Sequence, residues 1–418
     1  MTTPRITVAA TLALSGLLLA ACGGESSAPQ GTSRSTSTPV SDGGREVDEA
    51  ESRLVATYDG GLMVLDGESL EVLETIELPG FIRVNAAGDG RHVLVSADAA
   101  FRVLDTGAWS TRHGDHAHHY VGEPALTDVE FEADHPGHVV RHAGATVLFS
   151  DGSGRIELFA AADLAAEDRA DGVAPETEVV LADQPHHGVA VQLANDELLV
   201  TLGDETTRTG AKVLDAGRAE IARSEECPGV HGEAVAADEA VVVGCEDGVL
   251  VYRDGAFTKI ASPDPYGRIG NQAGTDASAV VLGDYKSDPD AELERPERVS
   301  LIDTATSTLR LVDLGVSYTF RSLGRGPEGE ALVLGTDGAI HVIEPVTGRV
   351  TSTIPVIEEW TEPQDWQQPR PTLVVDGDTA YVTDPVASEI HAVDLAAGTV
   401  TATAALPEIP NELTGVNG

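Results

Sequence analysis

The sequence predicts an all-β fold, a β-propeller of eight blades with four antiparallel strands each; seven blades is the alternative count. Three observations carry this prediction. With 44 Gly and 22 Pro but only 4% aromatic residues and 2 Met, the composition suits many short strands joined by turns better than packed helices. A short apolar strand, with a turn-terminated strand before it and an alternating strand after it, recurs eight times, at residues 62–66, 102–105, 156–159, 212–215, 249–252, 299–303, 340–344 and 390–394. Over residues 53–418 that is about 46 residues per unit, the spacing of propeller repeats. Finally, the first unit lacks an innermost strand while residues 411–416 remain after the last unit is complete. The tail is therefore expected to complete blade one, which closes the ring and leaves no bare strand edge.

Along the chain, residues 1–21 carry one early cation, Arg5, then an apolar run from Ile6 to Leu19, then Leu19-Ala20-Ala21-Cys22. This is the pattern of a bacterial lipoprotein signal peptide, and the run is shorter than the roughly 18 apolar residues a membrane-spanning helix needs. Cys22 is then the lipidated first residue of the mature chain, which places the protein outside the cytoplasm, lipid-anchored to the bacterial cell membrane. Residues 22–52 are rich in Gly, Ser, Thr, Pro and charge and read as a flexible tether, so the propeller is expected over residues 53–418. With Cys22 assigned to lipid, Cys227 and Cys245 remain as a pair in an oxidising compartment. Residues 230–244 read as a hairpin turning near Ala237-Asp238, across which the two side chains meet. A disulfide is the expectation and a thiolate metal site the alternative.

Against 69 Asp and Glu stand 26 Lys and Arg, a formal net charge of −43. That field repels anionic polymers and lipids, so neither nucleic acid nor membrane contact beyond a lipid anchor is expected. The 41% of hydrophobic residues is enough for a large core. A monomer is expected.

Histidine is concentrated: ten of the 13 fall between His113 and His231. In the run His113-Gly114-Asp115-His116-Ala117-His118-His119-Tyr120, His116 and His118 share a face if the segment is extended. Such runs bind zinc or copper; a solvated polar loop is the bland alternative. A second set is fixed by the repeat. His138, His187 and His231 occupy equivalent positions ahead of the innermost strands of blades three, four and five. Innermost strands ring the central channel of a propeller, so three imidazoles would meet at one side of its mouth, suiting a metal that wants about four donors. Turn-capping imidazoles are the structural alternative. His92, His341 and His391 stand alone on strands and read as structural, while His142 shares the face of His138. No nucleophile elbow, His-Glu-x-x-His helix, phosphate loop or dinucleotide fingerprint is present, and no enzyme is expected.

These motifs resemble those of the AztD-type family of periplasmic zinc metallochaperones. The resemblance rests on the His113–Tyr120 run, Gly137-His138-Val139-Val140, Phe149-Ser150-Asp151-Gly152, His186-His187-Gly188-Val189, Cys227-Pro228-Gly229-Val230-His231-Gly232-Glu233, Asp365-Trp366-Gln367-Gln368-Pro369-Arg370 and Val382-Thr383-Asp384-Pro385, in order along the chain. It implies a propeller that binds Zn2+ and hands it to the solute-binding protein of a zinc ABC transporter. It also implies that His113, Asp115, His116, His118, His138, His187 and His231 line the metal region. Zinc in place of copper rests on this resemblance, since imidazole suits both. The lipobox and the His-free tether depart from a freely diffusing chaperone and would hold the protein beside its transporter. The expected mechanism is a mobile loop, 113–120, over a fixed His cluster, with zinc passed by stepwise ligand exchange. Affinity is expected to fall as pH drops through about 6.5, where free imidazole protonates. Two rival functions stand beside it: a propeller serving only as an interaction platform, and a metal-dependent propeller hydrolase. The second would ordinarily hold its ion with carboxylates and Asn, where this repeat carries His.

Overall fold

The computed structural model describes residues 44–114, 116–165 and 172–418; the expected signal peptide, Cys22 and Asp115 lie outside the described residues. Each of the eight recurring segments is the third strand of a four-strand antiparallel path. These third strands are Gly61–Asp66, Ala100–Asp105, Arg155–Ala160, Arg208–Leu214, Asp247–Arg253, Arg298–Asp303, Ala339–Glu344 and Glu389–Asp394. These eight sheets of the described residues are called blades one to eight, in chain order. In blade one the innermost place is taken by the C-terminal strand Leu413–Asn417, which pairs antiparallel with Ser52–Tyr58, with Arg53 opposite Val416. The expected closure by the tail is what the register shows.

The third strands are rich in apolar residues because both faces of each blade are covered. Side chains alternate along a strand, so one strand feeds two cores. Leu62 and Val64 pack with Val84, Val93 and Val95 of blade two, whereas Met63 and Leu65 pack with Tyr381 and Ile390 of blade eight. Equivalent seams join two to three, three through five, five to six, six to seven and seven to eight. The ring is also pinned by ions at its closure: Glu412, buried, takes Arg321 Nη2 and Arg83 Nε at 3.0 Å each.

Two departures from the sequence reading follow from strand pairing. His113 and residues 116–120 lie in strands, not in a loop. Ala108–His113 and His116–Val121 form a hairpin, with His113 opposite His116, and Arg45–Val47 adds a third strand, with Glu46 opposite Tyr120. The span expected to be a tether therefore contributes a strand before residue 53. The hairpin is also inserted between the third strand of blade two, Ala100–Asp105, and its outer strand Ala125–Glu132. Asp105 pairs with Ala125 and His92, at the end of the sheet opposite to Arg83 and Ser96. Every innermost strand starts at the Arg83 end, so the hairpin leaves the ring from the other face.

Candidate metal centre

His138 lies near the start of Pro136–His142, His187 three residues ahead of Ala190–Gln192, and His231 opens His231–Ala236. These are the innermost strands of blades three, four and five, as the repeat predicts. Two of the three imidazoles sit at β-bulges, where the pairing register slips between Pro136 and Val139 and between His231 and Glu233. A bulge turns a side chain out of the pleat, here toward the channel mouth. The second slip is built on Gly232, whose φ of +70° suits glycine and strains other residues.

The three rings converge through their Nε2 atoms: His138 to His187 is 3.3 Å and His187 to His231 is 3.3 Å. Zinc with Zn–N bonds of about 2.0–2.1 Å at tetrahedral angles sets its nitrogens about 3.3–3.4 Å apart, so the spacing suits the ion. The other ring nitrogens face oxygen. His187 Nδ1 lies 2.6 Å from Asp151 Oδ2, and His231 Nδ1 lies 2.6 Å from the Gly270 carbonyl. Glu233 Oε2 is 4.0 Å from His138 Nδ1, near but outside hydrogen-bond range. Donating Nδ1–H to such acceptors leaves the Nε2 lone pairs free and aimed at a common point, the usual outer support of a His-bound metal.

Burial favours the neutral form of two of these side chains. Burial, then the neighbouring imidazoles His187 and His231, hold His138 well below the ordinary histidine range. Burial likewise brings His231 down to about 3, against an opposing pull from the Gly270 carbonyl. Burial pushes the Glu233 carboxyl up to about 8. The expected loss of ligand character through pH 6.5 therefore moves to lower pH for His138 and His231.

The hairpin carries a second triad. His113, His116 and His118 each offer one ring nitrogen, all within 4.8 Å of one another. His116 Nε2 and His118 Nε2 are 3.2 Å apart, and His118 Nδ1 is held at 2.6 Å by Glu46 Oε1 from the N-terminal strand. His119 points to the other face, onto Ser110 Oγ at 2.6 Å. The seven residues expected to line one metal region thus divide into two triads on opposite faces of the ring, with Asp115 outside the described residues. His142 pairs with Glu239 at 3.1 Å, at the far end of the strand from His138, and belongs to neither.

Cys227 and Cys245 are joined in a disulfide with Cα atoms 4.9 Å apart, which removes the thiolate alternative. No protein-family model matches the chain. It is 24% identical to zinc chaperone AztD of Citrobacter koseri over 377 residues, 87% of this chain and 86% of that protein. Crystal structures of Citrobacter koseri AztD superpose with TM-scores of 0.74 and 0.73, at 23% and 22% identity, covering 88–89% of this chain and 98–99% of theirs. The chain is thus similar to AztD in sequence and in fold. The superposition also carries the fold, a β-propeller.

Three groups beside the mouth triad, Asp151 and Gly270 in contact with it and Glu233 4.0 Å away, are absent from the set drawn from the sequence, although two fall inside its AztD-like motifs. Asp151 belongs to Phe149-Ser150-Asp151-Gly152, and Glu233 closes Cys227-Pro228-Gly229-Val230-His231-Gly232-Glu233, two residues after His231 and across the bulge from it. Among 69 acidic residues neither stood out. Gly270 acts through its backbone carbonyl, for which side-chain identity carries no signal.

Proposed function

We propose that the protein is an extracytoplasmic zinc carrier that captures Zn2+ and delivers it to the solute-binding protein of a zinc ABC transporter. The observation that carries the reading is the mouth triad, in which His138, His187 and His231 bring Nε2 atoms to zinc-compatible spacing while Asp151 and Gly270 accept from the opposite ring nitrogens. Three neutral donors leave one tetrahedral position to an incoming ligand, which suits a carrier that must release its cargo. An acceptor entering there replaces one imidazole at a time, so the ion never returns fully to water. No catalytic step is assigned to the site. The name of the relative, a zinc chaperone, supports the same reading. The net charge of −43 raises the local concentration of cations, an effect that fades with salt. The lipobox ending in Cys22 supports anchoring at the membrane.

The test is zinc binding to the secreted domain by chelator competition. Wild type is set beside a His138→Ala, His187→Ala, His231→Ala variant and a His113→Ala, His116→Ala, His118→Ala variant. The mouth variant is expected to lose tight binding and the hairpin variant to keep it. Wild-type protein with no tight zinc binding would sink the reading and bring the interaction platform forward.

A further inference from the structure

We infer that the Cys227–Cys245 disulfide is a positioning device for the mouth triad, setting both His231 and the carbonyl that orients it; this rests on the mouth triad being a zinc site. The crosslink closes a circuit of short contacts. Starting from Cys227, the chain runs through Pro228 and Gly229 to His231, whose strand partner Gly244 is the neighbour of Cys245. Cys245 in turn accepts from Ile269 N at 3.0 Å through its backbone carbonyl. The next residue is Gly270, whose carbonyl lies 2.6 Å from His231 Nδ1. The ligand and its acceptor thus hang from the two ends of one covalent bridge.

The intervening turn is tied down on both sides. Cys227 N donates to Thr209 O at 3.0 Å and Gly229 N to Arg208 O at 2.8 Å, on blade four, while Glu246 N donates to Pro228 O at 2.8 Å. Both cysteines are fully buried, so the bridge is shielded from casual exchange. Metal coordination tolerates drift of only about 0.2 Å in donor positions. His231 sits at a bulge, where the ladder alone defines its position less well, and the bridge supplies the missing constraint. The ring itself is closed elsewhere, by Leu413–Asn417 and the apolar seams between blades, so the bridge is not what joins its ends.

The test replaces the bridge with Cys227→Ala/Cys245→Ala, because a free thiol would itself ligate zinc. Zn2+ affinity is measured by chelator competition in two backgrounds, one with the hairpin triad changed to Ala and one with the mouth triad changed to Ala. Loss of an outer support of a metal ligand costs about 10–100-fold in affinity, so a loss of that size is expected at the mouth with none at the hairpin. Should the alanine pair not fold, Cys227→Val/Cys245→Ala restores volume in the core and is measured in the same way. Wild-type affinity at the mouth, equal weakening at both sites, or failure of both pairs to fold overturns the inference. Absence of tight mouth binding before the cysteines are changed overturns the carrier reading with it, whereas tight binding that survives the change overturns only the role of the bridge.

Discussion

Replacing Asp151 with alanine is the sharpest test of how the mouth triad is supported. Asp151 Oδ2 lies 2.6 Å from His187 Nδ1, its Oδ1 sits 3.4 Å from Gly188 N, and the side chain is 22% exposed. His187 is the central ring, with both of its neighbours 3.3 Å from its Nε2. Without the carboxylate, the ring is free to rotate and to place its proton on Nε2, which removes the lone pair that would face the metal. Outer-shell losses of this kind cost about 10–100-fold in metal affinity, or about 1.4–2.7 kcal/mol. Asp151→Asn separates the two contributions, since its amide oxygen still accepts from Nδ1–H while the charge is gone; a loss of about tenfold or less is expected. Chelator competition for Zn2+, in a background lacking the hairpin triad, gives the affinities. Nitrogen NMR of the imidazoles reports whether the Nδ1–H tautomer survives. Zinc affinity within about twofold of wild type in Asp151→Ala, with the tautomer unchanged, would refute the reasoning.

Further outcomes follow from individual contacts. Glu46→Ala removes the acceptor at 2.6 Å from His118 Nδ1 and should weaken zinc at the hairpin about 10–100-fold while leaving the mouth unchanged, read by the same competition in a mouth-null background. His138 and His231 have folded values below the free value of about 6.5, so the stability tied to their neutrality is present above that pH and is lost as pH falls toward about 3; thermal melting of the metal-free protein should decline over this window, and less so in His138→Ala/His231→Ala. Glu233 runs the other way: its folded value of about 8 exceeds the ordinary glutamate value of about 4.5, so ionisation costs stability as pH rises between them, and Glu233→Gln should melt higher than wild type at pH 8 but alike at pH 4. Arg321→Met leaves buried Glu412 with Arg83 as its one remaining ion-pair partner and weakens the contacts at the closure of the ring; a loss of roughly 3 kcal/mol in chemical denaturation is expected, and a loss under about 1 kcal/mol would show that closure does not depend on the pair.

The fold was legible in the sequence because blades bury both faces of their central strands. Segment 249–252 is apolar at every position and 299–303 at three of five, and turns separate such segments at a regular interval. The mouth triad was legible for the same reason: once the innermost strands are aligned, His138, His187 and His231 fall in one place, and the bulges turn two of them toward the channel. The hairpin was not, since it interrupts the repeat and polar alternation there reads equally as loop. Its location is a matter of parity. A connection leaving a third strand emerges opposite to one arriving at a first strand, so proximity in sequence between His118 and His138 does not bring them together in space. Arg45–Val47 escaped notice because three residues are too short for a period, and only the edge offered by His116–Val121 makes them a strand.

Parity also decides how zinc could move. Pro136–His142 runs from the mouth toward the other end of its blade, and seven strand residues span about 23 Å, whereas ligand exchange requires both donor sets around one ion at about 2 Å. Direct trading of imidazoles between His118 and His187 within one molecule is therefore not available, and the picture of a His-rich loop closing over a fixed cluster gives way to two separately served sites. Arg45–Val47 lies beside the hairpin, so the chain enters the ring on the hairpin face. On the carrier reading, an acceptor that takes zinc from the mouth meets the face away from that entry, and mouth variants alone should abolish transfer even when the hairpin remains loaded. If a protein lacking His138, His187 and His231 still delivers zinc at the wild-type rate, the hairpin is the donor and the mouth has been given the wrong role.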